Sequence, residues 1–296
     1  MKNNVKLNPV LKKELRTSMR NVRGSLLVIG YLAVLMLTLC GGLYIQSSYR
    51  GMITKNDAIG TFIFLMIVQF ALISIISPTI ASGAISSERE KQTLDILLTT
   101  DMSFLSIITG KLGASLSKII LLIVSSTPIF IFLLSYIGIN TLGIFGILII
   151  NIVAATFVGA IGIYYSTRFK KTIVATVFSY ITIFLIYVGP VIMCAMLQVY
   201  KYNNGIQFDP SKQFYWYLLI SPAVGFMTLI FSQLGISLTE IFGKTLEINF
   251  LGITSYMITI IFMIIATILI ILLAARKIDP TRKKQHLFNL KKEKKV

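Results

Sequence analysis

Six stretches of this chain, residues 25–46, 60–86, 117–139, 143–166, 172–199 and 249–275, are continuously apolar and contain one charged residue between them, Lys118. Each exceeds the ~20 residues that a helix needs to cross the hydrocarbon core of a bilayer. Strands of a membrane barrel would instead alternate apolar and polar residues over about ten positions. Only 13% of the 296 residues are charged and 55% are hydrophobic, whereas a soluble domain carries about a quarter charged residues. The pattern therefore predicts an all-α, multi-pass membrane protein with a six-span domain over 25–275.

The net charge of +17 would suggest nucleic acid in a soluble protein, but in a membrane protein cations gather on the cytoplasmic side. Six crossings put both termini on one side. With that side in the cytoplasm, 23 Lys and Arg fall inside and 5 fall outside, which predicts an N-in, C-in topology and no nucleic-acid partner. The first 24 residues are too long and too polar for a cleavable signal. Asn8-Pro9 opens a helix with a cap and an N1 proline. Leu7, Leu11, Leu15, Met19 and Val22 fall on one face of it, and Lys12, Lys13, Arg16, Arg20 and Arg23 on the other, as in a helix lying in the membrane interface. Residues 276–296 form a basic tail. Between the fifth and sixth spans, 218–238 is apolar but interrupted by Pro222, Gly225 and Gly235. A seventh span there would move the nine tail cations outside. We therefore expect a re-entrant hairpin within an outer segment at 200–248, entered through the aromatic run Phe214, Tyr215, Trp216 and Tyr217. Such backbone is tolerated at depth only where protein or a water-filled cavity covers it.

In this topology the one sizeable inner loop is 87–116. Ser87-Glu88-Arg89-Glu90 has capping-box spacing, so Ser87 is expected to start a new helix with Glu90 reaching back. Leu94, Leu97 and Leu98 follow at helical spacing, Thr99-Thr100-Asp101 ends the helix, and Asp101 or Ser103 caps the next, over 104–118. A short charged helix with one leucine face suits docking into a groove on a soluble partner. A surface turn whose leucines touch lipid headgroups has the same pattern.

The segment Glu88-Arg89-Glu90, Gln92-Thr93-Leu94-Asp95, Leu97-Leu98, Ser103 and Gly110-Lys111 resembles the cytoplasmic segment of type-2 ATP-binding-cassette (ABC) transporter permeases. Asn8-Pro9-Val10 with Lys13-Glu14-Leu15-Arg16 is similar to the amphipathic elbow helix of that family. The layout of elbow, six spans and an extra outer element matches as well; Gln92 stands where the family usually has glycine. The resemblance implies a permease subunit in a bacterial plasma membrane that pairs with a second permease, identical or related. Each would engage a cytosolic ATPase through a coupling helix at 88–98. Glu88, Arg89, Glu90 and Asp95 would set its register, Leu94 and Leu97 would fill the ATPase groove, and Thr93 and Leu98 belong to the same coupling set. It also implies that spans two and five border the passage, and from their aromatic, methionine and polar residues we expect Phe64, Gln69, Phe70, Tyr180, Phe184, Tyr187 and Met193 to line it. An aromatic, methionine-bearing lining favours export of a hydrophobic or amphipathic substrate such as a peptide, antibiotic or drug.

Chemistry within the chain is sparse. Phe242-Gly243-Lys244-Thr245 echoes a phosphate loop, but Leu238 stands where the motif needs its first glycine. Within the six apolar stretches there is no acid and no histidine, the residues that build proton relays in membranes. Cys40, Cys194 and the single His286 offer no metal spacing. The chain is expected to be non-catalytic, with no cofactor of its own and with Mg-ATP bound by the partner ATPase. A membrane-embedded sensor or scaffold that binds an ATPase without moving cargo is the alternative. An intramembrane enzyme lacks catalytic groups.

Overall fold

The computed structural model describes residues 22–50, 54–94, 103–138, 143–204, 216–235 and 254–278. The interfacial helix expected over 1–24 and the basic tail lie outside the described residues apart from a few at their edges, as do residues 205–215 and 236–248 of the outer segment. Six long helices are present: α1 (Val22–Arg50), α2 (Lys55–Glu90), α3 (Phe104–Ile137), α4 (Gly143–Arg168), α5 (Thr172–Asn203) and, after a 3-10 turn and the short α6 (Pro222–Leu234), α7 (Ser255–Ile278). All six are long and apolar enough to cross a membrane, so the chain is a multi-pass membrane protein by length and composition. Among the described residues there is no strand.

Two helices begin five or more residues before their expected spans. α2 starts five residues earlier than its apolar run because Thr54 and Asp57 form a capping box. The Asp57 N–H donates to Thr54 Oγ1 (3.4 Å), and the Thr54 N–H donates to Asp57 Oδ2 (2.9 Å). At 36 residues, α2 spans about 54 Å at 1.5 Å per residue, well beyond a ~30 Å hydrocarbon core. α3 begins at the expected cap, where Ser103 Oγ accepts from the Ser106 N–H (3.3 Å). It then runs unbroken to Ile137, so the expected 104–118 helix and third span are one element.

α4 is the most buried of the spans, and its closest neighbour is the parallel α2. Their seam is made of small residues. A Cβ at Gly162 would stand 3.0 Å from the Ala81 Cβ and 3.2 Å from the Pro78 carbonyl; one at Gly159 would stand 3.2 Å from Ser77 Oγ. Lipid supplies no hydrophobic drive between helices, so close packing and hydrogen bonds must hold them. Both are here: Ser77 Oγ donates to the Ala155 carbonyl (2.7 Å), and Ser166 Oγ accepts from the N–H groups of Ile85 (2.9 Å) and Ser86 (2.8 Å).

α5 and α3 run antiparallel to α2. α5 is fastened by Ser82–Thr176 (2.6 Å), by Tyr180 donating to the Ile75 carbonyl (2.8 Å) and by Ser74–Tyr187 (3.3 Å). α3 is fastened by Gln69 Nε2 donating to Ser126 Oγ (3.0 Å). α6, about 20 Å long, is too short to cross. Pro222 occupies its first turn, Ser221 Oγ donates to the Tyr187 carbonyl (2.8 Å), and Gly235 closes it at φ 69°. It lies inside the bundle, with Phe226 stacked on Phe70 at 4.3 Å and Gly225 against Thr259 of α7. Gly225 thus permits helix contact instead of interrupting a helix, and only Pro222 and Gly235 mark breaks.

Gly162→Val is expected to destabilise the fold by about 1–3 kcal/mol through overpacking, read as a lower thermal midpoint in detergent. Gly189→Ala, on an open face of α5, should be neutral or raise the midpoint slightly.

Candidate functional site

The charged turn Ser87–Leu94 is built differently from its sequence pattern. Glu88, Arg89 and Glu90 form the last turn of α2, and Ser87 Oγ donates backward to the Gly83 carbonyl. Ser87 therefore caps no new helix; its hydroxyl is spent on the helix it belongs to. Beyond Glu90 the chain reverses. Lys91 and Gln92 form a turn, with Gln92 at φ 57°, and the Thr93 N–H donates to the Glu88 carbonyl (2.9 Å). Non-glycine residues occupy this left-handed region at a cost of about 1–2 kcal/mol, which accounts for a glycine being suited to this position.

Both acids are engaged within the chain. Lys111, on α3 and 3% exposed, donates to Glu88 Oε1 (2.7 Å) and to the Ala84 carbonyl (2.7 Å). A short charge-assisted bond of this kind is about twice as strong as a neutral one. The second Glu88 oxygen is buried without a hydrogen-bond partner among the described residues. Glu90 turns the other way, accepting from the Thr172 N–H (2.8 Å) and Thr172 Oγ1 (3.1 Å) at the start of α5. Lys171, the N-cap of α5, provides no side-chain cap, so a carboxylate from another helix meets the positive end of the α5 dipole. One turn of α2 thus ties α3 and α5 together at this end of the bundle.

Leu94 also points inward. It is buried with Ile85, Ile108, Leu112 and Ala274. Of the residues expected to meet a partner, Glu88 and Leu94 are turned into this chain, and Glu90 bonds Thr172 while its side chain stays exposed. Arg89 is half-buried, and Lys91 and Thr93 are exposed. Asp95, Leu97 and Leu98 lie outside the described residues. Lys111 and Thr172 were missed as partners because the 23-residue and 82-residue separations carry no periodic signal. The one clue was a lysine amid the buried face of Ile107, Ile108 and Leu112.

The seven expected passage residues do not share one surface within the chain. Phe70 and Tyr187 stack at 5.7 Å inside the bundle, and Gln69 is buried between α2 and α3. Tyr180 is half-buried, while Phe184 and Met193 are exposed on α5. Phe64 lines a separate open groove of about 330 Å³ between α1 and α2, with Leu37, Gly41 and Ile45. No group of three or more potential metal ligands occurs among the described residues. No protein-family model matches the chain, and no curated protein matches it.

Lys111→Met should cost about 2–3 kcal/mol, below the ~3–5 of a fully buried pair because Glu88 is partly exposed. Adding Glu88→Leu should recover most of the loss in a double-mutant cycle of thermal stability. Gln92→Gly should relieve the left-handed strain and be neutral to stabilising by up to about 1 kcal/mol, whereas Gln92→Val should lower the midpoint.

Proposed function

We propose that this chain is the permease subunit of an ABC transporter of the bacterial plasma membrane. It pairs with a second permease and with cytosolic ATPase subunits to export a hydrophobic or amphipathic substrate. The supporting observation is the charged turn at the end of α2, which is fastened by Glu88 to α3 and by Glu90 to α5. A push on that turn acts at once on three spans, two of which, α2 and α5, carry the candidate passage residues. Such a joint suits a chain whose energy comes from another subunit.

In this reading the turn faces the cytoplasm, the first 24 residues form the elbow helix, and α6 is one limb of a re-entrant outer hairpin. Phe184 and Met193, exposed on α5, would meet the passage between paired permeases. Lys91 and Arg89, with the segment 95–98 beyond them, would contact the ATPase, and the engaged acids would hold that contact in place. The chain itself would be non-catalytic.

Co-expression with the ABC ATPase encoded nearest its gene should yield a complex with vanadate-sensitive ATP hydrolysis that rises with hydrophobic cargo. Arg89→Glu combined with Lys91→Glu should weaken association about tenfold or more, ~1.4 kcal/mol, without lowering the permease's own melting midpoint. An ATPase that binds the double variant equally well and stays coupled would refute the docking assignment. A bound ATPase that never responds to any cargo would favour the scaffold reading.

A further inference from the structure

The turn between α4 and α5 places Arg168, Lys170 and Lys171 in four consecutive positions at the same end of the bundle as Glu90. All three cations are exposed, and none has an ion pair among the described residues. The turn is stiffened from within: the Phe169 ring stacks on Phe178 at 4.7 Å and lies 6.1 Å from Tyr165, whose hydroxyl bonds Thr182 Oγ1 at 2.7 Å. Directly beyond the cations, α5 presents a ridge of Ile173, Val177, Ile181 and Leu185, which are 76%, 49%, 50% and 61% exposed. A positive head region is thus continuous with an apolar strip along a membrane-spanning helix.

We infer that this surface binds an anionic phospholipid, with its phosphate against Arg168, Lys170 and Lys171 and an acyl chain along the Ile173–Leu185 ridge. The juxtaposition selects the occupant. A soluble acidic protein would satisfy the cations and leave the ridge in hydrocarbon, and a zwitterionic lipid would cover the ridge with no net charge to offer. Clusters of Lys and Arg at the end of a span attract anionic lipid at about 1 kcal/mol per cation. Among the described residues, Glu90 is the one carboxylate bonded at this turn. By sitting on the α5 N-terminus it opposes a second anion, so its charge weakens lipid binding. The inference rests on the membrane-spanning helices alone and is independent of the transporter reading.

The test uses the purified full chain in vesicles of phosphatidylcholine and phosphatidylglycerol in equal parts. Spin-labelled lipids report how strongly each is retained at the protein surface. The wild type should prefer phosphatidylglycerol, and Lys170→Gln and Lys171→Gln should each reduce that preference about fivefold, in line with ~1 kcal/mol per cation. Glu90→Gln should raise it, and salt should lower it within the range that screens exposed charges. Lys55→Gln, exposed at the opposite end of α2, should change nothing. An unaltered melting midpoint in pure phosphatidylcholine checks that the variants fold. The inference falls if the wild type shows no preference, if the lysine variants keep it, or if Lys55→Gln reduces it equally. It falls also if inorganic phosphate at matched ionic strength displaces the lipid, which would make this a free-anion site. Loss of a co-purifying protein with lipid preference intact would assign the surface to a protein and overturn the lipid.

Discussion

The fold depends on how closely α2 and α4 approach. Water would drive apolar helices together, but lipid does not, so contact must be gained by packing and by hydrogen bonds that lipid cannot offer. Gly159 and Gly162 remove side chains where Ser77, Ala81 and the Pro78 carbonyl arrive. With the backbones this near, Ser77 and Ser166 bond across the seam to main-chain groups. α4 becomes the buried axis and α2 the hub, since α2 also bonds to α3 and α5 along most of its length.

The polar residues inside the spans acquire a consistent role in this arrangement. Gln69, Ser74, Ser77 and Tyr180 fasten helices to one another. An unbonded polar group in hydrocarbon is costly, so such residues find partners within the bundle before they can serve a passage. Surfaces left to lipid, a second subunit or cargo are the weakly covered helices, α1, α5 and α7. On α5 the exposed face is apolar for most of its length and ends in the cations of the α4–α5 turn.

The end of α2 shows how far a local pattern can mislead. Ser-x-x-Glu spacing is a true capping signal when a helix begins there, yet the preceding apolar helix simply continues through Glu90. Continuation keeps every backbone bond that a new start would break. The same spacing at Thr54–Asp57, where a helix does begin, forms a full capping box. At the far end of this segment Ser103 caps α3 as its position implies. The bonds of the two acids and the burial of Leu94 were not legible, because no neighbour was visible in the sequence. Lys111 and Thr172 reach them from helices far along the chain.

Six spans, their limits to within a turn or so at most ends, the short interrupted element before α7 and a cap at Asp101 or Ser103 were legible in the residues alone. Each follows from hydropathy length or a cap a few residues long, which are local properties. Which face of each span is inside was not legible, because helices that are apolar all round have little amphipathic asymmetry to orient them. That Glu88 pairs with Lys111, that Phe70 stacks on Phe226 and that Gly225 admits Thr259 were decided by tertiary contact. Those choices turn on which small residues let two backbones approach, and that depends on pairs of positions tens of residues apart.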